Sequence, residues 1–260
     1  MQTSRIFGFD IFSSSKKELF AHFDSFLVTK RLVKTQIVFT PNSEQIVMAK
    51  SDRSFAKALQ GADWLLPDGM GLVYASFLLK FFGKTNKKIQ ERIAGVELVE
   101  HLLQSNQKTL IIGGRGYAAS FEGEMAESIK SLKKIRKNLY WTQAYQDKTK
   151  ILPAEEKTLH KIITELKPAL VFVALGAPDQ EKWILEHYAL LQANQIKIAM
   201  SVGGSFDFIF GKVTRAPRLW QKLGLEWLWR LIKQPWRRHR QLRLLKFIML
   251  LSREVFTSTV

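Results

Sequence analysis

The feature that most constrains this chain is a recurrence of short, almost wholly apolar runs separated by stretches of helical length. Residues 36–40, 64–66, 109–112, 169–175 and 196–202 are rich in Val, Ile and Leu and show little apolar/polar alternation. A strand with one wet face alternates; runs like these suit parallel strands covered on both faces. Between them lie helix-length stretches at about 43–60, 69–82, 95–104, 117–132, 155–166 and 180–192. Strand and helix in repeated alternation predict an α/β fold, Rossmann-like and doubly wound on a mostly parallel sheet. The 260 residues suffice for one such core and an additional element.

Charge identifies the additional element. The chain carries 40 Lys and Arg against 23 Asp and Glu, a net charge of +17. From Lys212 onward, twelve basic residues face only Glu226 and Glu254. This divides the chain into an α/β domain, 1–211, and a basic helical appendage, 212–260. Such a tail wants an anionic partner. It reads as two helices, the first ending near Lys233 and the second starting at Pro235. Leu244, Leu245, Ile248, Leu251 and Val255 fall near one face of the second, and Arg237, Arg240 and Arg243 lie largely elsewhere. Trp220, Trp227, Trp229 and Trp236 favour a membrane interface. The tail therefore reads as a reversible membrane-docking element; the alternative is helices packed on the catalytic domain with solvated charges. Glu226 and Arg230, four residues apart, read as a surface pair.

Several classes are excluded. Without cysteine there are no disulfides and no thiolate metal sites. The first 17 residues are too polar for a secretory signal, and no apolar run is long enough for a membrane span. The five histidines are scattered without metal-ligand spacing, and no G-x-S-x-G nucleophile elbow occurs. Nucleic-acid binding would suit the charge, but no groove-fitting or stacking motif is present. A nicotinamide oxidoreductase would place an acidic residue about twenty positions after the 113–116 glycines; residues 131–137 are basic instead.

Ligands of such sheets bind beyond the carboxyl ends of the strands, where five loops gather polar residues and glycines. Thr40-Pro41-Asn42 follows the first run, and Asn42 with Gln45 fits a capping box. Pro67-Asp68-Gly69 follows the second; Asp68 is either a turn residue or a general base at the mouth of a cleft. Gly113-Gly114-Arg115-Gly116 is either a phosphate loop or a tight turn. Gly176 to Gln180 follows the fourth, with Gln180 either aimed at the rim or exposed on a helix. Gly203-Gly204-Ser205-Phe206-Asp207 follows the fifth. No D-x-D occurs, so the usual carboxylate pair for a metal on a nucleotide-sugar is missing.

Six segments in order, TPNSEQ, LLPDGMGL, ERIAGVEL, LIIGGRGYA, VALGAPDQEKWI and VGGSFDFIFGKVTRAPRLWQKLGLEWLWRLIKQPWRR, resemble the WecG/TagA/CpsF glycosyltransferases, glycosyltransferase family 26. The resemblance covers nearly the whole chain. It implies an inverting enzyme needing no metal and no cofactor. Such enzymes move N-acetylmannosamine, its uronic acid or a related hexose from a UDP donor to N-acetylglucosamine on undecaprenyl pyrophosphate. Their products enter teichoic-acid linkage units, enterobacterial common antigen or capsules. It implies a peripheral location at the cytoplasmic face of the bacterial membrane, and no nucleic-acid partner. Carried over by motif, Asp68 is the general base, and Thr40 and Asn42 lie near the reacting sugars. Arg92, Gln180 and Asp207 contact substrate, Asp207 at the nucleoside. With no metal, Arg92, the N–H groups of Gly113 and Gly114, and the tail arginines Arg230, Arg237 and Arg238 are the donors for the leaving diphosphate. Gln143-Ala144-Tyr145-Gln146 departs from the family's Gly-Tyr-Phe, which counts against a nucleotide contact at Tyr145.

Overall fold

The computed structural model describes residues 2–29, 33–114, 132–217, 219–220, 226–233 and 238–256. The chain opens with an antiparallel hairpin, β1 (Thr3–Ile6) and β2 (Phe9–Phe12), which the apolar-run reading missed. Its two-residue turn, Phe7-Gly8, has φ of 51° and 83°, the hand that matches strand twist. After α1 (Lys16–Val28) come β3 (Gln36–Phe39), α2 (Ser43–Ser51), α3 (Arg53–Gln60), β4 (Trp64–Leu65), α4 (Met70–Phe81) and α5 (Gly95–Gln104). Then follow β5 (Thr109–Gly113), β6 (Leu132–Arg136), β7 (Leu139–Thr142), α6 (Pro153–Leu166), β8 (Leu170–Ala174), α7 (Asp179–Glu186), α8 (Tyr188–Ala193), β9 (Ile198–Ser201) and α9 (Ser205–Ile209). The tail supplies α10 (Glu226–Lys233) and α11 (Arg238–Phe256).

All five apolar runs are strands of one seven-stranded sheet in the order β4-β3-β9-β8-β5-β7-β6, parallel except for the β6/β7 pair. Side chains alternate across it and feed two cores. Ile37, Phe39, Leu110, Ile112, Val171, Val173 and Ala199 pack with α2, α3, α4, α6 and α7. Val38, Ile111, Leu170, Phe172, Ile198 and Met200 pack with α1 and α5. The sheet is thus buried on both faces, which is why its strands read as unbroken apolar runs. The chain continues from β5 towards β7 but from β8 towards β9, on the opposite side. The crevice between the carboxyl ends of β5 and β8 is therefore a topological switch point, where such sheets bind ligands.

Three expected helices differ. The stretch 43–60 is two helices broken at Asp52, whose carboxylate accepts the N–H groups of Ser54 (2.9 Å) and Phe55 (3.0 Å) and caps α3. The stretch 180–192 breaks at His187. Of 117–132, residue 132 opens β6 and the rest lies outside the described residues. The two tail helices are present, but α11 does not present its whole apolar stripe outward. Phe247 and Val255 are buried in the core, and Arg243 pairs with Glu44 of α2 at 2.5 Å. The outward-stripe reading weighed the spacing of the apolar residues but could not see that α2 and α4 offer them a surface. No helix among the described residues is long and apolar enough to cross a membrane.

Candidate active site

The rim loops are stitched together by backbone hydrogen bonds. Asp68 N donates to Pro41 O (3.0 Å), and Ile93 N donates to Pro67 O (3.0 Å). The TPN, PDG and ERIAG segments, distant in sequence, thereby form one wall. Gly69 takes φ of 131°, a backbone state barred to most side chains. It turns the chain from β4 into α4 directly beyond Asp68 and leaves that carboxylate half-buried at the edge of the wall. Asn42 performs the capping: Oδ1 accepts Gln45 N (3.0 Å) and Gln45 Oε1 accepts Asn42 N (3.1 Å). A β-carbon on Gly95 would lie 3.1 Å from Thr40 Oγ1 and 3.6 Å from Ser205 Oγ; one on Gly69 would lie 3.8 Å from Asn42 Cβ. Thr40, Asn42, Asp68, Gly95 and Ser205 therefore share one small region. Gly95 and Ser205 lie inside the ERIAGVEL and VGGSFDF segments but were given no role of their own, since neither carries a charge.

Further along the same carboxyl edge of the sheet lie the glycine loops of β9, β8 and β5. Gly113 is required twice over. Its φ is 86°, and a β-carbon there would sit 3.1 Å from Ala174 O and 2.8 Å from Leu175 Cδ2. Its carbonyl accepts Trp141 Nε1 at 2.7 Å, and Gly114 follows at φ of 85°. Gln180 is neither exposed on a helix nor free to reach into the cleft. It is 4% exposed, and its Oε1 accepts both Gly176 N (3.2 Å) and Gly203 N (3.1 Å). It clips the β8 and β9 loops together. Its Nε2 donates to Glu181 Oε1 (2.8 Å), which also receives Gln45 Nε2 (3.4 Å). Glu181 is fully buried, and burial pushes its carboxyl above the usual range, against the opposing effects of Gln180 and Ser201. This Asn42–Gln45–Glu181–Gln180 network fixes three rim loops at once. The buried glutamate was visible in GAPDQE only as the neighbour of the glutamine. Replacing Gln180 by Leu strands two loop N–H groups; we expect a loss of about 1–3 kcal/mol in stability, read by urea unfolding.

Three helices that begin on this rim, α4, α5 and α7, have no side-chain cap. In α5 and α7 part of the first turn is bonded to backbone instead, Glu97 N to Ala94 O and Gln180 N to Gly176 O, both at 3.0 Å. Asp207 sits half-buried in α9, and its carbonyl accepts Val213 N (3.1 Å), which steers the chain back towards Arg215.

Arg92 lies behind the Asp68 wall, its side chain 12% exposed. Nη1 meets Glu226 Oε2 of α10 at 2.9 Å, and Nη2 approaches Glu97 Oε1 at 3.9 Å. Glu97 also holds Arg215 (2.8 Å) and Lys16 (2.5 Å), and Arg215 Nε lies 3.9 Å from Glu226 Oε1. Glu226 thus latches the tail to the rim; its expected pair with Arg230 falls on a side chain outside the described residues. Three cations surround two carboxylates there. Burial opposes the charge of Glu97, but Lys16 and Arg215 outweigh it and hold the carboxyl below its ordinary 4.5. The side chains of Arg230 and Arg238, and all of Arg237, lie outside the described residues.

The histidines are less scattered than the sequence suggests. His160 and His187 converge on Glu156, with ligand atoms all within 4.8 Å of one another. The Glu156–His160 spacing of four puts both on one helical face, a signal that was overlooked. His160 Nε2 is 3.1 Å from Glu156 Oε1, His187 Nε2 also pairs with Oε1, and His187 Nδ1 faces Trp183 O at 2.8 Å. With both ring nitrogens of His187 against oxygens, the arrangement suits a hydrogen-bonded ion-pair cluster better than an open coordination shell. Tyr145 is 4% exposed, and its hydroxyl donates to Glu156 (2.5 Å) and accepts Trp183 Nε1 (2.7 Å), so it has no face for a nucleotide. Burial opposes ionisation of Glu156, but Tyr145, His187 and His160 hold its carboxyl low. Glu97 and Glu156 share one consequence. A carboxyl with a depressed folded-state pKa contributes stability that is complete above the unfolded value and is lost as pH falls through the folded one. Thermal stability should therefore drop below about pH 4.5, and Glu97→Gln should remove part of that acid dependence.

A cavity of about 680 Å³ lies at the amino ends of β5 and β7, lined by Glu100, Asn106, Thr109, Arg136 and Asn138 among others. It is remote from the switch point and from the convergent residues, so the rim is the better site.

A mostly parallel sheet with polar residues and glycine loops along its carboxyl edge is the frame of an α/β enzyme that binds its ligand at that edge. Comparison makes the class specific. The chain belongs to the glycosyl transferase WecG/TagA/CpsF family, whose model matches residues 4–259. It is a glycosyltransferase. It is 30% identical over 257 residues, 98% of this chain and 93% of the relative, to the N-acetylglucosaminyldiphosphoundecaprenol N-acetyl-beta-D-mannosaminyltransferase of Bacillus subtilis (strain 168).

Proposed function

We propose that this enzyme transfers N-acetylmannosamine from a UDP donor to N-acetylglucosamine on undecaprenyl pyrophosphate, with inversion at the anomeric carbon. One observation carries the reading: the Asp68 backbone is bonded to Pro41 O at the carboxyl edge of the sheet, the same edge from which the glycine loops after β5, β8 and β9 leave. The named activity of the B. subtilis relative supplies the sugars.

In this mechanism Asp68 takes the proton of the acceptor hydroxyl as it attacks the anomeric carbon. A hydroxyl is a weak nucleophile until a base removes its proton. Thr40 and Asn42, beside it, orient the two sugars. Charge developing on the leaving diphosphate meets backbone N–H groups at Gly113, Gly114 and the rim helices, an electrostatic role requiring no reorganisation. Arg92 adds a cation whose position the Glu226 latch controls. Arg230, Arg237 and Arg238 complete the cationic wall when the tail is seated. Asp207 faces the nucleoside. The appendage, 212–260, works at an anionic membrane surface, where the acceptor resides.

The test is a panel of UDP-sugars with a short-chain pyrophosphoryl-N-acetylglucosamine lipid, read by mass spectrometry with and without EDTA. We expect extension from UDP-N-acetylmannosamine at a rate unaffected by EDTA or magnesium. A strict divalent-ion requirement would contradict charge neutralisation by protein groups alone.

A further inference from the structure

Helix α4 is apolar on both sides. Leu72, Ala75, Ser76 and Leu79 are buried against the sheet, while Tyr74, Phe77, Leu78 and Phe81 are exposed, at 54%, 57%, 38% and 75%. Its one charged residue is Lys80. A helix that is apolar all round needs an apolar cover on every side, and exposed patches of this kind mark interaction surfaces. The exposed set follows the i, i+3, i+4, i+7 spacing of a single helical face. α11 runs alongside: Phe247 approaches Gly71 at the start of α4, and Phe82 meets Phe256 with ring centroids 5.9 Å apart. Both rings of that pair are exposed, so the outer faces of the two helices meet there, and Leu245, Ile248 and Met249 extend the apolar surface along α11.

Charge selects the cover. Residues 69–90 contain four lysines, Lys80, Lys84, Lys87 and Lys88, and no carboxylate. A protein partner of ordinary composition gives no reason for so one-sided a border. A leaflet containing anionic lipid does: aromatic rings enter at the headgroup level while lysines reach the phosphates. At 12 residues α4 is about 18 Å long, too short to span, but of a length to lie in the interface.

We propose that α4 is a docking element for an anionic bilayer, seated through Tyr74, Phe77, Phe81 and the lysines that follow. Because α4 follows directly on Gly69, docking holds Asp68 close to the lipid surface, six positions or about 9 Å along the helix from Tyr74. This deepens the lipid-linked acceptor reading and rests on it for its purpose, though not for its physics.

The test uses the full chain and co-sedimentation with phosphatidylcholine vesicles, with and without phosphatidylglycerol. Wild type should bind the anionic vesicles preferentially. The Phe77→Asp/Phe81→Asp double variant should bind at least about tenfold more weakly. Lys80→Glu/Lys87→Glu/Lys88→Glu should lose roughly fivefold per lysine on anionic vesicles only. Ile151→Asp/Leu152→Asp, at exposed apolar positions elsewhere, should bind like wild type. Unchanged binding by the phenylalanine variant overturns the proposal. So does equal binding to both vesicle types, or a wild-type dimer that this variant dissociates while neither binds vesicles. Turnover on a water-soluble short-chain acceptor separates the two readings. The phenylalanine variant should keep it, and a wild type lacking it would defeat the catalytic reading while leaving the vesicle result standing.

Discussion

Asp68→Asn should leave the fold and donor binding intact and slow transfer by about 10²–10⁴. Asparagine matches aspartate in size but cannot accept the acceptor's proton. The backbone around position 68 is held by Pro41 O and by the turn at Gly69, and an isosteric amide keeps the shape of the site, so the fold should be retained. The reading predicts loss in kcat with little change in KM for the donor, the pattern of an interaction made only in the transition state. Near-normal turnover by the variant would remove Asp68 from the role of base.

The second large effect is expected at Glu226. Its carboxylate and the Arg92 guanidinium have side chains only 18% and 12% exposed. Removing one member of such a pair strands the other, typically at a cost of about 3–5 kcal/mol. Glu226→Ala should therefore lower the melting temperature by roughly 10 °C, leaving Lys16, Arg92 and Arg215 around Glu97 alone. Arg92→Leu/Glu226→Leu should recover much of that stability, because two apolar groups of similar volume need no counter-charge. Under the proposed function, activity should not recover with it, since that reading gives the Arg92 cation a part in neutralising the donor. Full activity in the double variant would reduce the latch to a structural tie.

The sequence made the parallel sheet legible because strands buried on both faces can only be written in Val, Ile and Leu. Four strands were missed; β7, buried and parallel beside β5, is four residues with only one branched aliphatic, Leu139, and the other three obey another rule. β6 carries Lys133, Lys134 and Arg136 with a half-wet burial pattern, as an edge strand protected by charge should. The β1/β2 hairpin is four residues a side with mixed exposure. Local chemistry read correctly where it is local: Asn42 and Gln45 form the capping box their spacing implies. The break at Asp52 was equally local, an aspartate followed by Ser54, but was outweighed by an apolar pattern that continues across it. What could not be read is pairing at a distance. That Gln180 would clip two glycine loops, or that Glu226 among the tail's cations would belong to Arg92, 134 positions away, depends on how the sheet folds the chain back.

The most direct measurement is a crystal structure of the enzyme with UDP and the acceptor sugar. The account predicts the diphosphate among the loops at Gly113, Gly176 and Gly203, with the Asp68 carboxylate at the acceptor hydroxyl on the opposite face of the transferred sugar's position. UDP seated elsewhere, for example in the cavity at the amino ends of β5 and β7, with Asp68 pointing away from both sugars, would contradict it.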